Sequence, residues 1–389
     1  MQFCAVTAAI IQGAVAERGR LIPSLIFIFF WATLVYCPLA NWAWGASGWG
    51  LTWGVFDYAG GGPVEIGSGM SALAYSMVLG RRQEKMMLNF RPHNVSLVTL
   101  GTVMLWFGWL GFNGGSSFGA NLRATMAVWN TTLTAGLAAA TWVALDWRLA
   151  RKWSMVGWCS GAISGLVAAT PASGYLSPWA SVLLGLASGA IANLATKLKY
   201  LLRIDDSMDV FAEHGIAGIV GLLFNAVFAA GSVIGLDGVN TGATGGWVDR
   251  NWAAMYIQLA YIAACSGWAF AVSAGIAHAI NAIPGLALRA SERAELLGMD
   301  DDQLGEFAYD YVEIRRDYLA WTPHKAEHHE TEMPPSARHG IAAHADMAST
   351  PPPDAAVTGD GEGAAHTGIG GARHAERYEE TERAGHEKV

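Results

Sequence analysis

Charge is what this 389-residue chain has least of: Asp, Glu, Lys and Arg together make up 14% of it, against about 25% in an ordinary soluble protein. The charge that exists is unevenly placed. Residues 1–283 carry 14 Lys/Arg and 11 Asp/Glu, a net of +3, and residues 284–389 carry 10 and 21, a net of −11. An almost uncharged block therefore precedes an acidic tail. Cysteine is scarce too. Cys4, Cys37, Cys159 and Cys265 form no CxxC pair and sit in apolar runs, so they read as buried structural thiols. No basic patch stands out, which disfavours nucleic-acid binding. No nucleophile–base pair or metal-ligand cluster has workable spacing, so no enzyme, cofactor or metal is expected.

What is abundant is apolar sequence, 52% of the chain. Charge-free or nearly charge-free runs of about 20 residues read as membrane spans. They cover 21–39, 62–80, 94–113, 125–145, 210–230 and 252–279. Residues 153–196 hold no charge over 44 positions, too long for one helix, and Pro171 to Pro178 divides them into two spans. Residues 1–16 read as the end of a further helix whose beginning is absent. A cleaved signal peptide is the rival reading, but its basic residues follow the apolar stretch instead of preceding it. The expectation is an all-α polytopic membrane protein with eight full and one partial transmembrane helices.

Loop charge orients these spans. Twelve Lys/Arg fall in alternate loops, beginning with Arg18 and Arg20, and only Arg123 and Arg250 fall in the others. By the positive-inside rule the Trp44 loop lies outside and the tail lies in the cytoplasm. Domain boundaries follow: a transmembrane block over 1–283, a tail segment over 284–321 with a short helix near Ser291–Leu297, and an acidic stretch over 322–389. That last stretch is rich in Pro, Gly, Ala, His and Glu, without apolar periodicity, and is expected to be disordered.

Ionisable residues inside membrane spans are costly and therefore functional candidates. The block offers Asp57, Glu65, Asp209, Glu213, His214 and His278. His278 is interfacial. Asp57 and Asp209 stand at span entrances, where an N-terminal cap is the plain reading. Glu65 and His214 lie deeper, among glycines that allow close helix approach. An aromatic group accompanies them: Trp44 in the outer loop, and Trp109 and Phe112 in Gly108-Trp-Leu-Gly-Phe-Asn-Gly-Gly-Ser116. Interfacial tryptophans are common, yet clustered aromatic faces beside a hydroxyl suit a small cation, through attraction worth about 2 kcal/mol when desolvated.

Taken in order, several segments resemble the Amt/Mep/Rh ammonium transporters. They are Gly13-Ala-Val-Ala-Glu-Arg18, Phe56-Asp-Tyr-Ala-Gly-Gly61, Pro92-His-Asn94, Gly108 to Ser116, Cys159-Ser-Gly-Ala-Ile-Ser-Gly-Leu-Val167, Thr170-Pro-Ala-Ser-Gly-Tyr175, Asp205-Asp206, Asp209-Val-Phe-Ala-Glu-His-Gly-Ile-Ala-Gly218 and the stretch from Leu297 to Tyr309. The resemblance covers residues 1–311. It implies that Trp44 and Ser116 form an outer ammonium recruitment site, ordered by Asp57. Phe3 and Phe112 would stack as a gate beneath it, with Trp109 on the pore side. His214 matches the second of the family's twin pore histidines. The first falls on Glu65, as in a subset of fungal Mep-type proteins.

A bare cation in hydrocarbon costs several kcal/mol even after relaxation, whereas neutral ammonia does not carry that cost. The resemblance accordingly implies that ammonium, or methylammonium as its analogue, gives up a proton, which the Glu65/His214 pair relays separately. It also implies a homotrimer in the lipid bilayer of the plasma membrane. The family has eleven spans, so the first two and part of the third are expected to be missing here. An ammonium sensor signalling through the tail, or an inactive truncated chain, are the alternatives.

Overall fold

The structure, a computed structural model, describes residues 1–88 and 92–306. Eight helical rods of at least 18 residues run through them, preceded by the shorter α1 (Gln2–Gln12), which ends in a 3₁₀ turn. The rods are α2 (Leu21–Trp31) continued through a π-helical turn into α3 (Cys37–Trp44); the π-helical turn Gly61–Ile66 continued into α4 (Gly67–Leu79); α5 (Val95–Gly115); α6 (Leu122–Ala150); α7 (Met155–Ala172); α8 (Pro178–Ala195); the π-helical turn Phe211–Ile216 continued into α9 (Ala217–Phe228); and α10 (Ala253–Asn281). At about 1.5 Å per residue, 18 residues make roughly 27 Å, close to the thickness of a bilayer's hydrocarbon core. Six helices are long and apolar enough to cross a membrane by composition alone. The rod holding Glu65 and the rod α6 fall outside that six: the first is rich in Gly and Ser, and the second carries Arg123, Asp146 and Arg148. No strand occurs among the described residues, only two isolated bridges.

Local chemistry sets several helix starts. Asn94 Oδ1 accepts from Leu97 N at 3.0 Å, Asn121 Oδ1 from Ala124 N at 2.9 Å, and Ser154 Oγ from Gly157 N at 2.9 Å, each satisfying an orphan donor. Pro178 occupies the first turn of α8, where its missing N–H costs nothing. The uncharged run at 153–196 does break between Ala172 and Pro178, as its prolines predict. Several of the other expected boundaries shift: the span expected over 210–230 shortens to Phe211–Phe228, and others lengthen. The span begun at Leu21 stays helical to Trp44, and α6 runs to Ala150, because Asn121 caps it early and its charged residues sit near its ends.

Close packing joins the rods. Gly161 and Gly165 of α7 press on Ala135, Ala138 and Ala139 of α6, and Gly185 and Gly189 of α8 on Thr134 and Ala138, the small-residue contact that membrane helices favour. Trp31 Nε1 donates to Ser71 Oγ at 2.8 Å, and Ser273 Oγ lies 2.8 Å from the same oxygen, tying α2, α4 and α10 together. Large apolar side chains such as Phe29, Met104 and Phe107 are exposed on the outside of the bundle, as lipid contact requires.

The bundle has two chemically distinct ends. At the basic end Arg18 is fully buried, and Asp205 accepts from Arg82 Nε and Nη2 at 2.8 Å each and lies 3.8 Å from Arg18 Nη1. Burial works against the Asp205 charge, but these bonds and the nearby guanidinium outweigh it and hold the carboxyl below its usual range. The tail segment docks here. Arg20 N donates to Leu288 O and Ala290 N to Arg18 O, both at 2.9 Å, and Arg289 Nη1 donates to Leu79 O at 3.2 Å. Glu292–Leu297 is helical, capped by Ser291 as its sequence suggests. The aromatic end carries the loop with Trp44, Trp49 and Trp53. There Arg123 lies between the rings of Tyr58 and Tyr175, donates to Gly174 O at 2.8 Å, and pairs with Asp237 at 3.0 Å. The expected disorder over 322–389, and residues 307–309 of the family-like stretch, lie outside the described residues.

Candidate functional site

Two rods are π-helical at their starts, and those starts cross. Gly61–Ile66 carries Glu65, and Phe211–Ile216 carries His214. The wider helical ring rephases the side chains that follow, one reason π-helical turns gather at functional positions. The crossing is tight. A Cβ on Gly69 would lie 2.2 Å from Gly215 N, and one on Gly218 would lie 2.7 Å from Glu65 Cβ. With no side chain at either point the backbones nearly touch. His214 Nδ1 then comes within 2.8 Å of Glu65 Oε2, a hydrogen bond between residues 149 apart in the chain. Glu65 is fully buried, while the His214 side chain keeps 10% of its surface. The pair therefore meets its surroundings through the imidazole. Glu65 Oε1 has no hydrogen-bond partner among the described residues.

Asp57 organises the approach from the aromatic end. Its Oδ1 accepts from Gly60 N at 2.9 Å and Gly61 N at 2.6 Å, and its Oδ2 from Gly62 N at 2.7 Å and Tyr261 Oη at 2.9 Å. Those are the orphan donors of the helix that carries Glu65. Gly60 has φ +119, a conformation costly for any other residue, and the Trp44 ring packs against it. Tyr58 N and Ala59 N donate to Pro171 O and Thr170 O, which ends α7 against the same loop. Trp44 Nε1 donates to Asp57 O at 3.3 Å.

Aromatic rings of α1, α3 and α5 cluster together. Phe3 of α1 and Phe112 of α5 stack with centroids 3.9 Å apart, Trp44 lies 5.9 Å from Phe3, and Trp109 lies 5.7 Å from Phe112. Trp109 Nε1 donates to Thr170 Oγ1 at 2.8 Å. Ser116 Oγ donates back to Phe112 O at 2.8 Å, leaving its lone pairs free. The structure thus links Trp44, Phe3, Phe112 and Trp109 by ring contacts, places Ser116 one helical turn from Phe112, and pairs Glu65 with His214.

Asp209 departs from its expected place. The cap of its helix falls to Asp206, whose Oδ2 accepts from Phe211 N at 2.7 Å. Asp209 instead pairs with Lys199 at 2.8 Å. Its backbone takes a positive φ of 55°, which accounts for the difference: that conformation turns the side chain away from the helix start. Two contributors escaped the sequence reading, Thr170 and Tyr261. A signal for the second existed, since a phenol within an apolar span has to find a partner.

The chain is similar to known proteins. The model of the Ammonium Transporter Family matches residues 1–309. Ammonium transporter MEP3 of Saccharomyces cerevisiae is 55% identical over 82% of this chain and 65% of its own length, and Ammonium transporter MEP1 of the same yeast is 56% identical over the same shares. The chain thus spans just under two thirds of these relatives. The crystal structure of Saccharomyces cerevisiae Mep2 superposes with a TM-score of 0.70 at 42% identity, over 75% of this chain and 67% of that one.

Proposed function

The chain belongs to the ammonium transporter family, and from that premise we propose that it moves ammonium across a bilayer by deprotonation at a buried carboxylate–imidazole pair. The observation that carries this reading is the buried 2.8 Å bond between Glu65 and His214. Ammonium is collected at the aromatic end, where the Trp44 ring and the Ser116 hydroxyl offer cation–π attraction and hydrogen-bond acceptance. Asp57 is committed to three backbone amides and Tyr261, so it acts by holding the loop. Passing Phe3 and Phe112 strips water from the ion, and the charged form becomes expensive. The proton goes to the imidazole, the exposed member of the pair, and ammonia continues through the apolar section. A carboxylate bonded to Nδ1 steadies the imidazolium, as second partners of histidine commonly do. Potassium has no proton to surrender and is refused.

Orientation, location and assembly belong to the same proposal. The basic end faces the cytoplasm, as the loop charges indicate, in the plasma membrane and as a homotrimer with one pore per subunit. The protein reconstituted in liposomes should give ammonium-evoked currents and methylammonium uptake, and His214→Ala should remove the current. Full current in His214→Ala would refute the deprotonation step.

A further inference from the structure

Most charged side chains at the basic end are paired, but one group of cations is not. From Leu122 to Arg203 the single acidic residue is Asp146, against seven Lys/Arg. Arg123 pairs with Asp237 at the aromatic end, and Lys199 with Asp209. The other five, Arg148, Arg151, Lys152, Lys197 and Arg203, are exposed and form no ion pair among the described residues. They stand on two loops that one hydrogen bond joins. Asp146 Oδ1 accepts from Asn193 Nδ2 at 3.0 Å, which ties the end of α6 to the end of α8. Arg148, Arg151 and Lys152 follow Asp146, and Lys197 and Arg203 follow Asn193.

Each loop turns on an arginine in the left-handed region, Arg151 and Arg203 both at φ 55°, a conformation uncommon for residues with a Cβ and one that gathers at functional positions. The turn at Arg151 brings Trp153 back onto Trp147. Their rings stack with centroids 5.7 Å apart, and the Arg151 guanidinium lies 5.0 Å from the Trp147 centroid. Trp153 is 71% exposed, and on the other loop Leu201 is 78% exposed. Five like charges on joined helix ends repel one another, and no acid of the described chain neutralises them. A soluble anion would answer the cations and leave the indole and leucine surfaces in water. A phospholipid of negative headgroup answers both, since Trp and Arg side chains at the ends of membrane-length helices lie at headgroup depth.

We propose that the joined ends of α6 and α8 bind an anionic phospholipid, its headgroup charge neutralised by the five cations and its glycerol region resting on Trp153 and Leu201. The site depends on membrane insertion alone, so it stands whether or not ammonium is the cargo.

The experiment uses the whole purified protein. Native mass spectrometry should show phosphatidylserine retained on the order of tenfold more tightly than phosphatidylcholine of the same chains at low salt, with the difference shrinking as salt rises. Replacing all five cations by Gln should remove that preference at an unchanged thermal midpoint. Arg148→Lys, Arg151→Lys and Arg203→Lys together should keep it, and so should Arg250→Gln at the aromatic end. Brominated phosphatidylserine should quench tryptophan fluorescence, less so in Trp153→Phe. Equal retention of the two lipids by the wild-type protein would overturn the proposal without any variant. An undiminished preference in the five-fold Gln form would overturn it too. Displacement of phosphatidylserine by glycerophosphoserine at equal concentration would make this a site for a soluble phosphate. A change of oligomeric mass in the Gln form with lipid retention intact would make it an interface between copies. Either of those results would refute the lipid assignment.

Discussion

Gly69→Ala is the smallest change that separates Glu65 from His214 without touching either. A Cβ at position 69 would lie 2.2 Å from Gly215 N and 2.4 Å from Gly215 Cα. Carbon and backbone atoms do not settle much below 3.2–3.5 Å, so the two helices must part by roughly 1 Å. The obstacle is backbone, with no rotamer through which to escape. Overpacking of this kind costs typically about 1–3 kcal/mol, and the helix-propensity gain of alanine over glycine returns about 1 kcal/mol at most. The Glu65–His214 bond, now 2.8 Å, would lengthen beyond the roughly 3.5 Å at which such a bond is lost. Gly101→Ala is the matched control, because nothing lies within 4 Å of a Cβ there. In liposomes, Gly69→Ala should lose most of its ammonium-evoked current and unfold at lower temperature in detergent, while Gly101→Ala keeps both or gains slightly in stability. Wild-type current in Gly69→Ala at an unchanged midpoint would refute the claim that this crossing sets the pair.

Asp57→Ala should cost more than an ordinary helix cap, about 2 kcal/mol or more, since it strands three backbone donors and the Tyr261 hydroxyl; a thermal midpoint within error of wild type would contradict it. Asp205 is held below the usual carboxylate range, so its contribution is complete above about pH 5, where an unfolded Asp is almost fully ionised, and is lost as pH falls through the unfolded and then the lower folded value. Acidification should therefore lower the midpoint of the wild-type protein, and Asp205→Asn should flatten that dependence and destabilise the protein by about 3–5 kcal/mol at neutral pH, because the buried Arg18 and Arg82 lose their shared carboxylate.

Sequence alone determined the properties that arise from runs and from neighbours. Membrane class follows from charge-free stretches long enough to span, and the division of residues 153–196 follows from two prolines. Helix starts at Asn94, Ser154 and Ser291 follow from side chains that bond three residues ahead. Glu65 and His214 were visible as candidates because polar groups are rare in such spans, and Phe3, Phe112, Trp44 and Ser116 because their segments match a family pattern. Tertiary structure decided which of these meet. Glu65 and His214 are 149 residues apart, and Tyr261 and Asp57 are 204 apart; no local periodicity reports such distances. The meeting depends on where two helices cross and on how each is wound there. Both π-helical turns shift the side-chain phase relative to a regular helix, so a face drawn from a 3.6-residue repeat would misplace their residues. The same holds at the basic end, where the acid that position suggests as the cap is not the one that caps. Asp206 caps the helix and Asp209, at a positive φ, binds Lys199, contacts that reach across the chain and that neighbouring sequence does not report.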